Sequence, residues 1–355
     1  MSNELLQQIN TIVDTPGISG NEKYISNLLK NLYTPYCDEI IYDNLGSIYA
    51  VVRSKHEGKN LRVMITAHMD ELGFVVKEIQ KNGLIRGLAL GKVEKNALLG
   101  QKCRLSTRNG ESLLGTILCQ KGGEVLNKKN EVLLDFGYTS NKELEDADVE
   151  IGDMITFSNG FYKNATGHLF SHNWNGRINV SQTVDILKQV NQLKGSLPFD
   201  LYVGCTVQEQ VGLRGAQTAT NLVQPDLAII LDTQKEMDYQ EIKEKSGTIG
   251  RGLLLTYYDT TVLPNRYLLR SMKETCEAHE VSYQLHYSLE DSDAGWINKL
   301  RTGCPTLLLG LSVRNMNTPS QIVSFKDYQS LVRGLMFFIQ ELTVEKIQAF
   351  KEENR

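Results

Sequence analysis

Three short stretches carry side chains that could work together on a bond. Ala67-His68-Met69-Asp70-Glu71 closes a run of apolar residues, and the alternation of an extended chain puts His68 and Asp70 on the same side. A carboxylate behind an imidazole orients it, which suits a metal ligand and its neighbour, although His-x-Asp also arises structurally or by accident. Leu201 to Val207 opens on Gln208-Glu209-Gln210-Val211-Gly212, where Glu209 is placed as a general base or, with less consequence, as a solvated loop acid. Leu227 to Leu231 ends on Asp232, a candidate ligand whose alternative role is to cap a following helix.

The elements that must hold these groups read as two textures. Ser19-Gly20-Asn21-Glu22 precedes Ile25, Leu28, Leu29 and Leu32 at helical spacing, so an amphipathic helix starts here. Glu39 to Asp43, Ser47 to Arg53 and Leu61 to His68 read as strands, the last of them delivering His68 to the carboxyl edge of a sheet. From about Leu72 to Phe161, short apolar runs are broken by Asn82-Gly83, Asn109-Gly110 and Gly122-Gly123, the pattern of a small β-domain. Helical and buried-strand signals then return, with Ile178, Val184, Ile186, Leu187 and Val190 on one helix. The division predicted is 1–71 with 162–355 as an α/β domain, and 72–161 as an insertion. The charged tail from Lys351 to Arg355 reads as the frayed end of a helix.

A chain of 355 residues, 41% hydrophobic and 23% charged, has the balance of a folded globular protein. Its formal net charge of -4 and scattered basic residues argue against nucleic acid as a partner. No stretch is apolar for long enough to span a bilayer, and Met1-Ser2-Asn3-Glu4 does not begin as a secretory signal does, so a cytoplasmic location is expected. Cys37, Cys103, Cys119, Cys205, Cys276 and Cys304 form no Cys-x-x-Cys pair and are expected as reduced thiols.

Taken in order, these motifs resemble the tetrahedral aminopeptidases, the two-metal peptidase family that includes the glutamyl and deblocking aminopeptidases and proteins once called cellulase M. Ala67 to Phe74 resembles its first motif, Val207 to Ala216 its central one, and Asp291-Ser292-Asp293-Ala294 its Thr-Asp-Ala. Pro16-Gly17-Ile18-Ser19-Gly20, Leu134-Asp135-Phe136-Gly137, Ile151-Gly152-Asp153 and Gly247 to Gly252 extend the likeness nearly end to end.

The resemblance implies an α/β fold, a central mixed sheet flanked by helices with an inserted β-barrel-like domain, and dimers that build a tetrahedral dodecamer. It also implies a centre of five ligands and a base. His68 matches the first His, Asp232 the second Asp and Glu209 the base, with Asp70 behind His68. Asn175, Gln210 and Asn317 fall where a bridging Asp, a Glu and a final His belong. An amide offers one neutral oxygen in place of two anionic ones, so a two-metal site is not expected. At most one weakly held divalent ion (zinc, cobalt or manganese) would rest on His68 and Asp232, with His172 a less favoured substitute. The three amides are expected to hydrogen-bond one another where the metals stood.

Three functions are consistent with this pattern. The chain is an impaired relative of the aminopeptidases, a pseudoenzyme that binds a peptide or protein partner; a weak one-metal aminopeptidase; or a structural subunit of a mixed aminopeptidase particle.

Overall fold

A computed structural model describes residues 3–56, 60–120, 122–193, 195–240 and 247–353. Asn354 and Arg355 of the charged tail lie outside the described residues; the helix before them runs Val344–Glu352.

Strand alternation explains how the main sheet is buried on both faces. In the Ile48–Val52 strand, Ile48, Ala50 and Val52 enter one apolar core while Tyr49 and Val51 enter the other. Val63, Ile65 and Ala67 divide from Met64 in the same way along Arg62–His68. Among the described residues the sheet has 11 strands of mixed direction. At its centre Asp200–Thr206, Arg62–His68, Leu227–Glu236 and Thr306–Arg314 lie side by side in parallel. Buried parallel strands of this kind read as continuous apolar runs, which is why they were visible in the sequence.

The predicted helix appears as Lys23–Tyr33, burying Ile25 and Leu29. Asn3–Asp14, which the sequence reading did not identify, buries Ile9, Ile12 and Val13 against the same core. The helix Trp174–Val190 is broken at its start: Asn175 is extended (φ -57°, ψ 111°) and Gly176 has φ 79°.

Between Gly73 and Phe157 six antiparallel strands close a barrel with its own core, in which Phe74 meets Phe157 edge-on at 5.5 Å. The fold is thus a mixed sheet flanked by helices with an inserted barrel. The six cysteines are free, four of them buried. No helix among the described residues is long and apolar enough to cross a membrane.

Candidate functional site

Parallel strands gather their carboxyl ends along one edge of a sheet, and the predicted side chains meet there. His68 ends Arg62–His68, while Glu209 and Gln210 follow Asp200–Thr206 through a turn in which Gln208 has φ 55°. Asp70 builds that turn: its carboxylate accepts the backbone N–H groups of Glu209 and Gln210, each at 3.0 Å, and the Ser19 hydroxyl at 2.5 Å. Asp70 Oδ1 also lies 3.4 Å from His68 Nδ1, as expected of a group that orients the ring. These contacts outweigh burial and hold the Asp70 carboxyl below its usual range.

Asp232 differs from the expectation of a strand end or helix cap. The strand continues through it to Glu236, but its pairing with Arg62–His68 stops at Ile230. Asp232 therefore lies beyond that pairing, with Oδ1 3.8 Å from His68 Nε2.

The kink at Asn175-Gly176 brings Asn175 across the same space. Asn175 Oδ1 receives the Thr233 hydroxyl at 3.0 Å and faces His68 Nε2 at 3.1 Å. Because that oxygen carries no hydrogen, His68 Nε2 is the donor. The other end of the amide, Nδ2, donates to Asn317 Oδ1 at 3.2 Å. Two of the three amides are thus bonded to each other. Gln210 does not join them: its side chain has no hydrogen bond among the described residues and lies against Gly91 at the end of a barrel strand.

Gly176 is required where it stands, since a Cβ there would sit 2.7 Å from His68 Nδ1 and 2.8 Å from Nε2. His172 turns away from the cluster, bonding the Asn159 carbonyl through Nδ1 at 2.7 Å and facing Glu71 at 3.6 Å.

Two acids near the cluster were given no role from sequence. Asp293 accepts the Thr206 hydroxyl at 2.6 Å, leaving its other oxygen unpartnered, and burial raises its pKa to about 7. Glu22 accepts the Gln208 backbone N–H at 3.0 Å, and burial, reinforced by Asp70, raises it to about 7. Both lie in stretches that the sequence marks, Glu22 in Ser19-Gly20-Asn21-Glu22 and Asp293 in Asp291-Ser292-Asp293-Ala294, but the convergence of these distant segments carries no local signal.

Electrostatically, acids crowd around one imidazole. Burial pushes Glu209 well above the carboxylate range and Asp232 to about 6, with His68 the main opposing influence on each. For His68 burial acts to lower the pKa, but Glu209, Asp70 and Asp232 together hold it well above the usual value. The arrangement can bind a cation or hold protons between these acids.

The likeness to known proteins agrees with this geometry. FrvX of Escherichia coli (strain K12), provisionally named an aminopeptidase, is 30% identical over 99% of each chain. The TET aminopeptidase of Thaumarchaeota archaeon SCGC AB-539-E09 superposes with a TM-score of 0.92 at 27% identity, covering 98% of this chain and 100% of that one. PhTET1-12s of Pyrococcus horikoshii, a dodecamer in its crystal, shares the fold with a TM-score of 0.83 at 22% identity over 96% and 100% of the two chains. With residues 46–333 matching the M42 glutamyl aminopeptidase family, whose motif positions meet at this sheet edge, the chain belongs to that family.

Proposed function

We propose that this chain is a catalytically impaired member of the family that retains the peptide-binding site and works by binding. The observation that carries the reading is the Asn175 amide, which joins His68, Thr233 and Asn317. A ligating imidazole must present a lone pair, whereas His68 Nε2 presents its proton to Asn175.

The donor chemistry fits a pair of close cations poorly. Two ions at the spacing of such centres, about 3.5–4 Å, need anionic ligands to offset their repulsion. Asn175, Gln210 and Asn317 are neutral, and among the described residues no three His, Cys, Asp or Glu side chains are arranged to hold an ion. When bound in an active relative, the metals would activate water and polarise the carbonyl. Here burial pushes the Glu209 carboxyl well above its usual range, with no cation beside it but His68 among the described residues. Assembly into homo-oligomers, as the resemblance implies, and the cytoplasmic location expected from the sequence belong to the same reading.

The test restores the ligands. Asn175→Asp, Gln210→Glu and Asn317→His in one protein should bind zinc or cobalt in calorimetry at least about a hundredfold more tightly than the wild type, since disturbing even outer-shell groups costs about 10–100-fold. It should also gain turnover on amino-terminal chromogenic amides, with each single change giving little because the groups act as a unit. Wild-type protein isolated without chelators with two stoichiometric ions and full turnover would overturn the reading. One stoichiometric ion with slow turnover would favour the weak one-metal aminopeptidase instead.

A further inference from the structure

Besides the pocket of about 190 Å³ beside His68, a second cleft of about 760 Å³ opens at the opposite edge of the main sheet and shares no residue with it. Arg62 stands in this cleft at the start of the strand that His68 ends, so the two sites lie about 20 Å apart along one strand. The other walls come from the residues just before Leu227–Glu236 and Thr306–Arg314, from the loop after the helix Ala294–Lys299, and from Lys351 of the last helix.

Acceptors in this cleft are used up, whereas donors are not. Asp226 is the one acid among the described residues that line it; one carboxylate oxygen accepts the Arg62 backbone N–H at 2.9 Å and the other meets Lys351. Helix carbonyl ends, which would attract a cation, are closed as well. The Val223 carbonyl accepts Arg62 Nη1 at 2.8 Å, that of Thr220 the Gln224 N–H at 2.8 Å, and that of Leu300 the Gly303 N–H at 3.0 Å. Burial pushes the Cys304 thiol up to about 12, so it adds no anion. On the donor side, the Arg301 guanidinium has no hydrogen bond or ion pair among the described residues, and that of Arg62 bonds only Val223.

We infer that this cleft binds a dianionic phosphate group, gripped by Arg62, Arg301 and Lys351. Three cations facing one acid leave two positive charges, which match the charge of about −1.5 to −2 that a phosphate monoester carries at neutral pH. Planar guanidinium forks fit phosphate oxygens in pairs, and such charge-assisted bonds are among the strong ones. The volume falls within the about 300–1,000 Å³ of small-molecule sites and leaves room for a polar body attached to the phosphate. The site is separate from the peptide-binding reading above and does not depend on it.

Calorimetry on the full-length protein at about 0.1 M salt tests this with glycerol 3-phosphate, inorganic phosphate and malonate, a dianion without the phosphate geometry. Glycerol 3-phosphate should bind with a Kd below about 1 mM, and malonate at least about fivefold more weakly. Tighter binding of the ester than of inorganic phosphate assigns the group to a phosphomonoester, and equal binding of the two assigns it to the free ion. Arg301→Ala, at an exposed position, and Lys351→Gln should each weaken glycerol 3-phosphate by about two- to fivefold. Asp226→Asn should tighten it by a similar factor of about two to five, a gain that a misfolded variant cannot give. Arg251→Ala removes an exposed cation from a different cleft and should leave binding unchanged. Malonate binding as tightly as the ester, equal effects of Arg301→Ala and Arg251→Ala, or weaker binding by Asp226→Asn in a variant that unfolds in urea as the wild type does would each overturn the inference.

Discussion

Asp70 and Glu71 are neighbours in sequence but belong to two regions with opposite electrostatics. Glu71 faces a closed ion cluster: it accepts the Gly17 N–H and the Asn173 amide, each at 2.9 Å, and meets the wholly buried Arg177 at 3.1 Å. Arg177 in turn donates to the carbonyls of Ile12, Thr15 and Gly17. Although burial alone would raise it, Arg177, His172 and Asn173 hold the Glu71 carboxyl below its usual range. Across the backbone, Asp232 and Asp293 have one hydrogen bond each, and burial prevails, raising them to about 6 and about 7. A buried acid that serves the fold is matched inside the chain, whereas Asp232, which lines the pocket, and Asp293, buried outside its lining, each keep an oxygen without a partner among the described residues.

The strongest way to break this comparison is to remove the internal cation. Arg177→Met leaves the buried Glu71 carboxylate without its guanidinium partner and should cost about 3–5 kcal/mol in urea unfolding. Asp293→Asn, on the pocket side, should be neutral or stabilising, because it removes a charge that burial already disfavours. Equal losses for the two variants would erase the distinction.

The pH dependence sharpens it with the sign opposite to the common carboxylate case. Between an unfolded pKa of 3.8 and folded values of about 6 and about 7, Asp232 and Asp293 keep protons that the unfolded chain releases, so stability falls as pH rises through this window. His68 has the same sign: its contribution is present below the usual value of 6.5 and is lost as pH rises through its higher folded value. Asp70 and Glu71 act the other way, contributing above the usual carboxylate range and losing that contribution as pH falls through their lowered folded values. Thermal unfolding from about pH 5 to about pH 7.5 should show a loss on the order of 4 kcal/mol, and Asp293→Asn should flatten it.

Much of this contrast was legible beforehand, and the part that was not has a physical reason. Strands buried on both faces announce themselves as apolar runs, so His68, Glu209 and Asp232 could be assigned to one sheet edge. The Asn3–Asp14 helix escaped because its polar residues dilute the stripe of Leu5, Ile9 and Ile12. Gln234 escaped for another reason: an amide in a strand carries no local signal, and it lines the cavity beside His68, made by segments far apart in the chain. The expected bonding among all three amides failed at Gln210, whose position is set by Asp70 holding its backbone N–H and by the barrel residue Gly91.

A smaller effect is expected at Gly176, where the pocket meets the helix that carries Arg177. Gly176→Ala places an L-residue at φ 79° with its Cβ against the His68 ring, for a cost of about 1–2 kcal/mol. Because the ring must shift, the His68 imidazole resonances should move in the variant while those of His172 stay fixed. A stability loss without that movement would show that only backbone strain is at work.

The smallest effect concerns the amide itself. Asn175-Gly176 is prone to deamidation by sequence, since glycine does not shield its backbone nitrogen from attack on the neighbouring side chain. Conversion requires the Asn175 side-chain carbon to swing onto that nitrogen. In the folded chain the side chain is 7% exposed, its oxygen receives His68 and Thr233, and its nitrogen donates to Asn317. Breaking three buried bonds makes this rotation costly, with each bond contributing about 1 kcal/mol net. Peptide mass spectrometry should therefore find Asn175 intact after long incubation of folded protein and converted to acid when the same sample ages in urea. Comparable conversion in both would mean that the amide network opens freely, and that the pocket is far less rigid than the Glu71 cluster beside it.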